Sequence, residues 1–74
     1  MTLHDFLFSL NQNQDEDILV SIYDYHKDAF VIEGWWKSGL RFHDEYASLK
    51  HREVEYFSLC YIKKNTTGLE ITIN

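Results

Sequence analysis

The chain opens on a helical period. Leu3, Phe6, Leu7 and Leu10 fall at i, i+3, i+4 and i+7, which makes one apolar stripe. Thr2 stands where a capping hydroxyl belongs, and Asp5 three residues on completes a capping-box-like pattern at the positive end of the helix dipole. So short a helix is marginal alone, so its stripe has to be buried against something else. The run "NQNQDED" over residues 11–17 ends it. Asn, Gln and Asp compete for backbone hydrogen bonds and carry no apolar period.

The period then drops to two. In "DILVSIYDY" (17–25), Ile18, Val20 and Ile22 line one face of a strand, and Leu19, Ser21, Tyr23 and Tyr25 line the other. "HKDA" (26–29) reads as a polar turn and "FVIEGWW" (30–36) as a second strand, so residues 18–36 predict an antiparallel hairpin. Alternation puts Phe30, Ile32, Gly34 and Trp36 on one face, with Val31, Glu33 and Trp35 on the other. With Phe30 and Ile32 toward the helix, Trp36 is a core residue and Trp35 lies opposite, near the tyrosines. A bulge at Gly34 exchanges those roles. In either case one of two adjacent indoles needs cover from outside the main core.

Residues 37–52, "KSGLRFHDEYASLKHR", predict helical turns. Ser38 can cap them and Leu40, Tyr46 and Leu49 have a rough helical spacing, while Gly39 opposes a continuous helix. "EVEYFSLCYI" (53–62) is a strand apolar on both faces, with Val54, Tyr56, Ser58, Cys60 and Ile62 one way and Glu55, Phe57, Leu59 and Tyr61 the other. "KKNTTG" (63–68) turns, and "LEITI" (69–73) closes a second hairpin with Leu69, Ile71 and Ile73 inward. The expected architecture is α+β, in the order α-β-β-(α)-β-β: an N-terminal helix packed on a four-stranded antiparallel sheet, as one domain over residues 1–74. Aromatics on both strand faces imply that the far face is partly covered, by the middle segment or by a second copy.

Composition narrows the class. Apolar residues make up 45% and aromatics 16% of 74 residues, too rich for a disordered tail. A domain this small buries a modest core, so a homodimer is a natural supplement. No apolar run approaches the ~20 residues of a membrane-spanning helix. "MTLHDFLFSL" carries no Lys or Arg and contains Asp5, unlike a secretory signal. The expectation is a cytoplasmic protein without a membrane segment. Cys60 is the only cysteine, so no disulfide or thiolate cage forms within the chain.

Catalytic and metal chemistry find little support. His43-Asp44-Glu45 and His51-Arg52-Glu53 match no ligand spacing, although an extended 51–55 would align His51, Glu53 and Glu55. Asp24 and Asp28 flank His26 in a turn, which lacks the burial that drives paired carboxylates apart in pKa. No nucleophile elbow, dinucleotide fingerprint or phosphate loop occurs. No enzyme activity and no cofactor are expected. Net charge is −5, and Lys27, Lys37, Arg41, Lys50, Arg52, Lys63 and Lys64 are scattered. Direct nucleic-acid binding, which needs clustered cations, is therefore not expected.

Surface recognition remains. Trp and Tyr are enriched at binding hot spots. Trp35, Trp36, Tyr23, Tyr25 and Asp24 are the candidate partner-binding residues, rimmed by Glu33 and Lys37. Asp15, Glu16 and Asp17 join Asp24 in steering the encounter electrostatically. On this reading the protein is a non-enzymatic interaction module with a protein partner, and a homo-oligomer; Trp35→Ala weakens association without unfolding it.

The segments "TLHDFLFSL", "IYDY", "EGWW", "HREVEYF" and "LEITI" together resemble small accessory proteins encoded in phages and prophages of Gram-positive bacteria. The resemblance implies a protein that binds a host or phage component and carries no catalytic residues. Some such proteins are acidic, anti-CRISPR-like inhibitors of host defence nucleases that mimic nucleic acid. The alternative function is therefore an acidic inhibitor of a nucleic-acid-handling enzyme.

Overall fold

The computed structural model describes residues 1–10, 17–63 and 66–74. The elements are α1 (Leu3–Leu10), β1 (Leu19–Asp24), β2 (Ala29–Trp35), a 3-10 turn (Leu40–Phe42), α2 (Asp44–Leu49), β3 (Val54–Lys63) and β4 (Thr66–Ile73). Thr2 caps α1 as its position implies, its Oγ1 accepting from the Asp5 amide at 3.2 Å. The other open amides of the first turn are satisfied by the connecting segment: Leu3 N donates to the Arg52 carbonyl at 2.8 Å and His4 N to that of Lys50 at 2.9 Å. The helical turns expected in the middle segment are present as two pieces, broken at His43. His43, rather than Ser38, is the cap of α2, its Nδ1 accepting from Glu45 N at 3.3 Å.

Both hairpins form, but the sheet is mixed rather than antiparallel throughout. Its order is β2-β1-β4-β3, and β1 runs parallel to β4 at the centre, with Val20 opposite Leu69 and Ile22 opposite Ile71. The reason lies in the connection. Parallel pairing needs a crossover of a dozen or more residues, and the segment between β2 and β3 is long enough, with the 3-10 turn and α2 inside it. It carries the chain from the end of β2 back to the opposite end of the sheet, so β3 runs in the same direction as β2 and β4, returning, lies parallel to β1. The two central strands are the most apolar on their inner side: Val20, Ile22, Ile71 and Ile73 are fully buried.

All helical elements pack on one face of this sheet. Leu3, Phe6 and Leu7 of α1 meet Val20, Ile22, Leu69, Ile71 and Ile73, with Trp36, Leu40 and Tyr46 from the crossover closing the core. Trp36 meets Phe8 and Tyr46 edge-on, with ring centroids 5.4 and 5.0 Å away. The Tyr46 hydroxyl lies 3.1 Å from His4 Nδ1, and burial pushes this phenol up to about 12.

Two of the three register shifts in the sheet correct the expected alternation on the described side chains. Ile22 pairs with Ile32 but Tyr23 pairs with Phe30, so Val31 is the inserted residue. Val31 and Ile32 both pack on the core, whereas Phe30 leaves the face of Ile32 and meets Tyr23. In β3, Val54 pairs with Ile73 and Tyr56 with Thr72, so Glu55 is the inserted residue. Phe57 then shares the inner face with Val54 and stacks on Phe6 at 4.7 Å, and Tyr56 takes the outer face. Gly34 is not bulged: it pairs with Val20, and Leu40 packs over it.

Two carboxylates staple the ends of β1. Asp17 accepts from the amides of Ile18 (2.9 Å), Lys37 (2.6 Å) and Ser38 (2.9 Å) and from the Ser38 hydroxyl (2.8 Å). Desolvation opposes the charge on Asp17, yet the hydrogen bonds from Lys37, Ser38 and Ile18 outweigh it and hold the carboxyl below its usual value. At the other end Asp24, 1% exposed, takes both arms of the Arg52 guanidinium at 2.8 and 3.0 Å, and the His26 amide at 3.0 Å. The Arg52 hydrogen bonds pull Asp24 down to about 2 against its desolvation.

Candidate recognition face

The register of the four strands lays out the helix-free face in rows. Phe30, Tyr23, Thr72 and Tyr56 form one row across β2, β1, β4 and β3. The next is Glu33, Ser21, Glu70 and Ser58. A third begins with Trp35, Leu19 and Gly68. The centre of this face is closed, since Leu19, Ser21 and Thr72 are buried. Its margins are open: Tyr25 is 63%, Tyr56 59%, Phe30 57% and Trp35 41% exposed. Among the described residues no helix lies over it.

One end of the face is hollowed. Tyr23, Tyr25, Phe30, Tyr56, Thr72, Asp28 and Glu70 line a depression of about 320 Å³. Tyr23 and Phe30 meet there with centroids 5.2 Å apart and ring planes crossing at 76°, which makes a corner rather than a flat wall. Asp28 holds the left-handed conformation, φ 53°, that Asp and Asn tolerate best among side-chain-bearing residues. The Tyr23 hydroxyl donates to the Asp28 carboxylate, and this bond, with some burial and the negative charge nearby, raises the phenol above its ordinary value.

The face is acidic as well as aromatic. Asp28 and Glu70 line the depression and Glu33 lies one row away. No Lys, Arg or His is among the described lining residues. Lys27 lines a separate cleft of about 280 Å³ with Val31, Glu45, Ser48 and Leu49. Arg41 stacks over Phe42 at 4.6 Å, and Arg52 is bound to Asp24.

Of the candidate partner-binding residues, the structure brings Tyr23, Tyr25 and Trp35 to this face. It does not bring Trp36 or Asp24 there. Trp36, 2% exposed, is a core residue on the helix side, and Asp24 is buried under Arg52. The adjacent indoles therefore divide as simple alternation across Gly34 predicts: Trp36 inward, Trp35 outward. Of the acids expected to steer the encounter, Asp17 is taken up by the amides of Ile18, Lys37 and Ser38, and Asp15 and Glu16 lie outside the described residues. Phe30 and Tyr56 were not among the candidates. Each reaches this face through a bulge that alternation does not announce.

Other candidate chemistry does not assemble. Among the described residues no group of three or more His, Cys, Asp or Glu is placed to hold a metal ion. Asp24 and Asp28, which flank His26, are bonded to Arg52 and Tyr23 respectively. Cys60 falls where the side chains are not described. No helix among the described residues is long and apolar enough to cross a membrane. No protein-family model matches the chain, and no curated protein or solved structure gives a significant match to it.

Proposed function

We propose that this chain is a small non-enzymatic interaction module, of the kind phages carry as accessory proteins, and that it docks a protein partner on the helix-free face of its sheet. One observation carries the reading. Tyr25, Phe30, Trp35 and Tyr56 stand exposed together on a face that both helices leave uncovered. Amphipathic rings suit a surface that is wet in the free protein and desolvated in a complex. Among the described residues the large exposed hydrophobic side chains of this face are aromatic, which fits reversible docking better than a permanent core. Its acids, Asp28, Glu33 and Glu70, favour a basic partner surface. The cationic groove of a nucleic-acid-handling enzyme is a surface of that character, and this supports the inhibitor reading as the second choice.

Affinity capture from a bacterial lysate tests the proposal when run with two variants. The doubly substituted Tyr25→Ser, Phe30→Ser protein removes the exposed rings, and Phe42→Ser removes an exposed ring from the crossover instead. The expected result is one partner retained by the native protein and by Phe42→Ser, and lost by the double variant. Retention by the double variant at the native level overturns the assignment of this face. Sedimentation of the same proteins tells a second copy from a foreign partner.

A further inference from the structure

We infer that the depression between Tyr23, Tyr25, Phe30 and Tyr56 receives the guanidinium of an arginine side chain from a basic segment of the partner. This rests on the reading of the helix-free face as a docking surface and names what anchors there.

The argument begins with the lining. Four aromatic rings surround a hollow of about 320 Å³, and two carboxylates, Asp28 and Glu70, share it. Ring faces carry negative quadrupole potential, so they attract a cation placed over them. The carboxylates add formal charge of the same sign, and Glu33 reinforces it from the neighbouring row. Such a site repels an anion. An apolar side chain seated here desolvates the Asp28 carboxylate without compensating its charge, which is costly. A cation meets both the rings and the Asp28 charge.

The shape selects among cations. Tyr23 and Phe30 cross at 76°, so a planar group laid along one ring directs its edge toward the other wall. A guanidinium is planar, stacks on aromatic rings and presents a rigid fork of donors to a carboxylate; an ammonium is a point charge with a tighter hydration shell. Asp28 is already partly organised for the fork. Its bond from the Tyr23 hydroxyl fixes ring and carboxylate together. That bond also leaves the carboxylate acceptor capacity, because two oxygens offer about four lone-pair sites. The chain uses both halves of this chemistry elsewhere: Arg41 lies 4.6 Å over the Phe42 ring, and Arg52 forks onto Asp24 at 2.8 and 3.0 Å.

The experiment compares two ligands of nearly the same shape. Capped arginine and capped citrulline, the neutral isostere, are titrated against isotope-labelled protein while aromatic and amide resonances are followed. Arginine is expected to shift the signals of Tyr23, Tyr25, Phe30, Tyr56 and Thr72, and citrulline to bind about tenfold more weakly. Asp28→Asn keeps the left-handed backbone and an acceptor for Tyr23 but removes the charge, and should weaken arginine about three- to tenfold while leaving citrulline unchanged. Capped lysine should bind more weakly than arginine. Equal binding of arginine and citrulline, equal binding of lysine and arginine, or arginine shifts confined to other parts of the chain each overturn the inference. The outcome is separable from the docking assignment. If arginine fails here while the Tyr25→Ser, Phe30→Ser protein still loses its captured partner, the face stands and the anchor falls. If arginine binds but that double variant keeps the partner, the docking assignment falls.

Discussion

The two faces of one sheet obey opposite rules. On the helix side the strands present Val20, Ile22, Ile71 and Ile73, all fully buried under α1 and the crossover. On the other side β1, β2 and β3 present Tyr23, Phe30, Tyr56 and Trp35 around a buried polar spine of Ser21 and Thr72. Branched aliphatic residues fill the part of the helix side that α1 and the crossover cover, while Phe57 and Leu59 of β3 stay exposed at its edge. Rings, all but Phe30 with a polar group, occupy the side that meets water. The acids split in the same way. Asp24 is saturated by Arg52 and the His26 amide and serves the fold, whereas Asp28 lies in an open hollow among exposed rings. Hydrophobic side chains are common to both faces, so the distinguishing feature is whether the chain supplies its own cover.

That contrast breaks most sharply in the core. Ile71→Ala removes a fully buried side chain at the centre of the sheet and should cost about 3–4 kcal/mol in urea unfolding. Phe30→Ala, on the other face, should cost under about 1 kcal/mol although it deletes more atoms. Comparable losses at the two positions would show that the helix-free face is covered in solution, as by a second copy.

Next in size is the ion pair that separates the structural acid from the open ones. Arg52→Ala leaves Asp24 buried without its counter-charge and should cost about 2–4 kcal/mol at neutral pH. Asp28→Asn should change stability by less than about 0.5 kcal/mol. The pH dependence follows from the depressed Asp24 carboxyl. Its ordinary value is 3.8 and its folded value about 2, so its contribution is present above the ordinary value and is lost as pH falls from about 4 toward 2. Arg52→Ala should flatten that part of the acid unfolding profile. At the alkaline end the sign reverses. The buried Tyr46 phenol is raised from 10.0 to about 12, so the unfolded chain ionises first and stability should fall as pH rises across that interval. Tyr46→Phe should reduce this slope, measured by urea midpoints across the same range.

The legible parts of this molecule were those set by local periodicity. The stripe Leu3, Phe6, Leu7 announces α1, and the period-two runs announce the strands, because each pattern is complete within its own segment. The parallel centre of the sheet was not legible. Strand direction depends on the path of the crossover, and no single strand encodes that path. The same limit explains the site. Tyr23, Tyr25 and Trp35 follow from alternation, but Phe30 and Tyr56 arrive through bulges at Val31 and Glu55, whose presence depends on the partner strand's register. Asp24 misled for a related reason. It looks like a turn acid in sequence, and its role depends on Arg52, which lies 28 residues along the chain. Trp35 and Trp36 differ by one position, and the pleat alone divides them between surface and core.

The smallest expected effect on stability is the most informative about the outer face. Tyr25 is 63% exposed, just past the end of β1, and its backbone amide donates to the Ile73 carbonyl at 2.9 Å whatever the side chain. Tyr25→Ala therefore leaves the ladder intact and should shift the urea midpoint by less than about 0.5 kcal/mol. Trp35→Ala should cost slightly more, about 1 kcal/mol, because Trp35, opposite Leu19 in the ladder, is more than half covered. If the outer face serves recognition, the order reverses in a binding measurement: Tyr25→Ala lines the hollow and should weaken partner capture at least about tenfold, as a hot-spot aromatic does. Ile71→Ala should leave capture by the folded fraction unchanged. A side chain that contributes almost nothing to folding and yet governs binding is held in place by some other constraint than the stability of the chain that carries it. Native affinity in Tyr25→Ala and Trp35→Ala together would leave those rings as ordinary surface residues and remove the functional half of the contrast between the two faces.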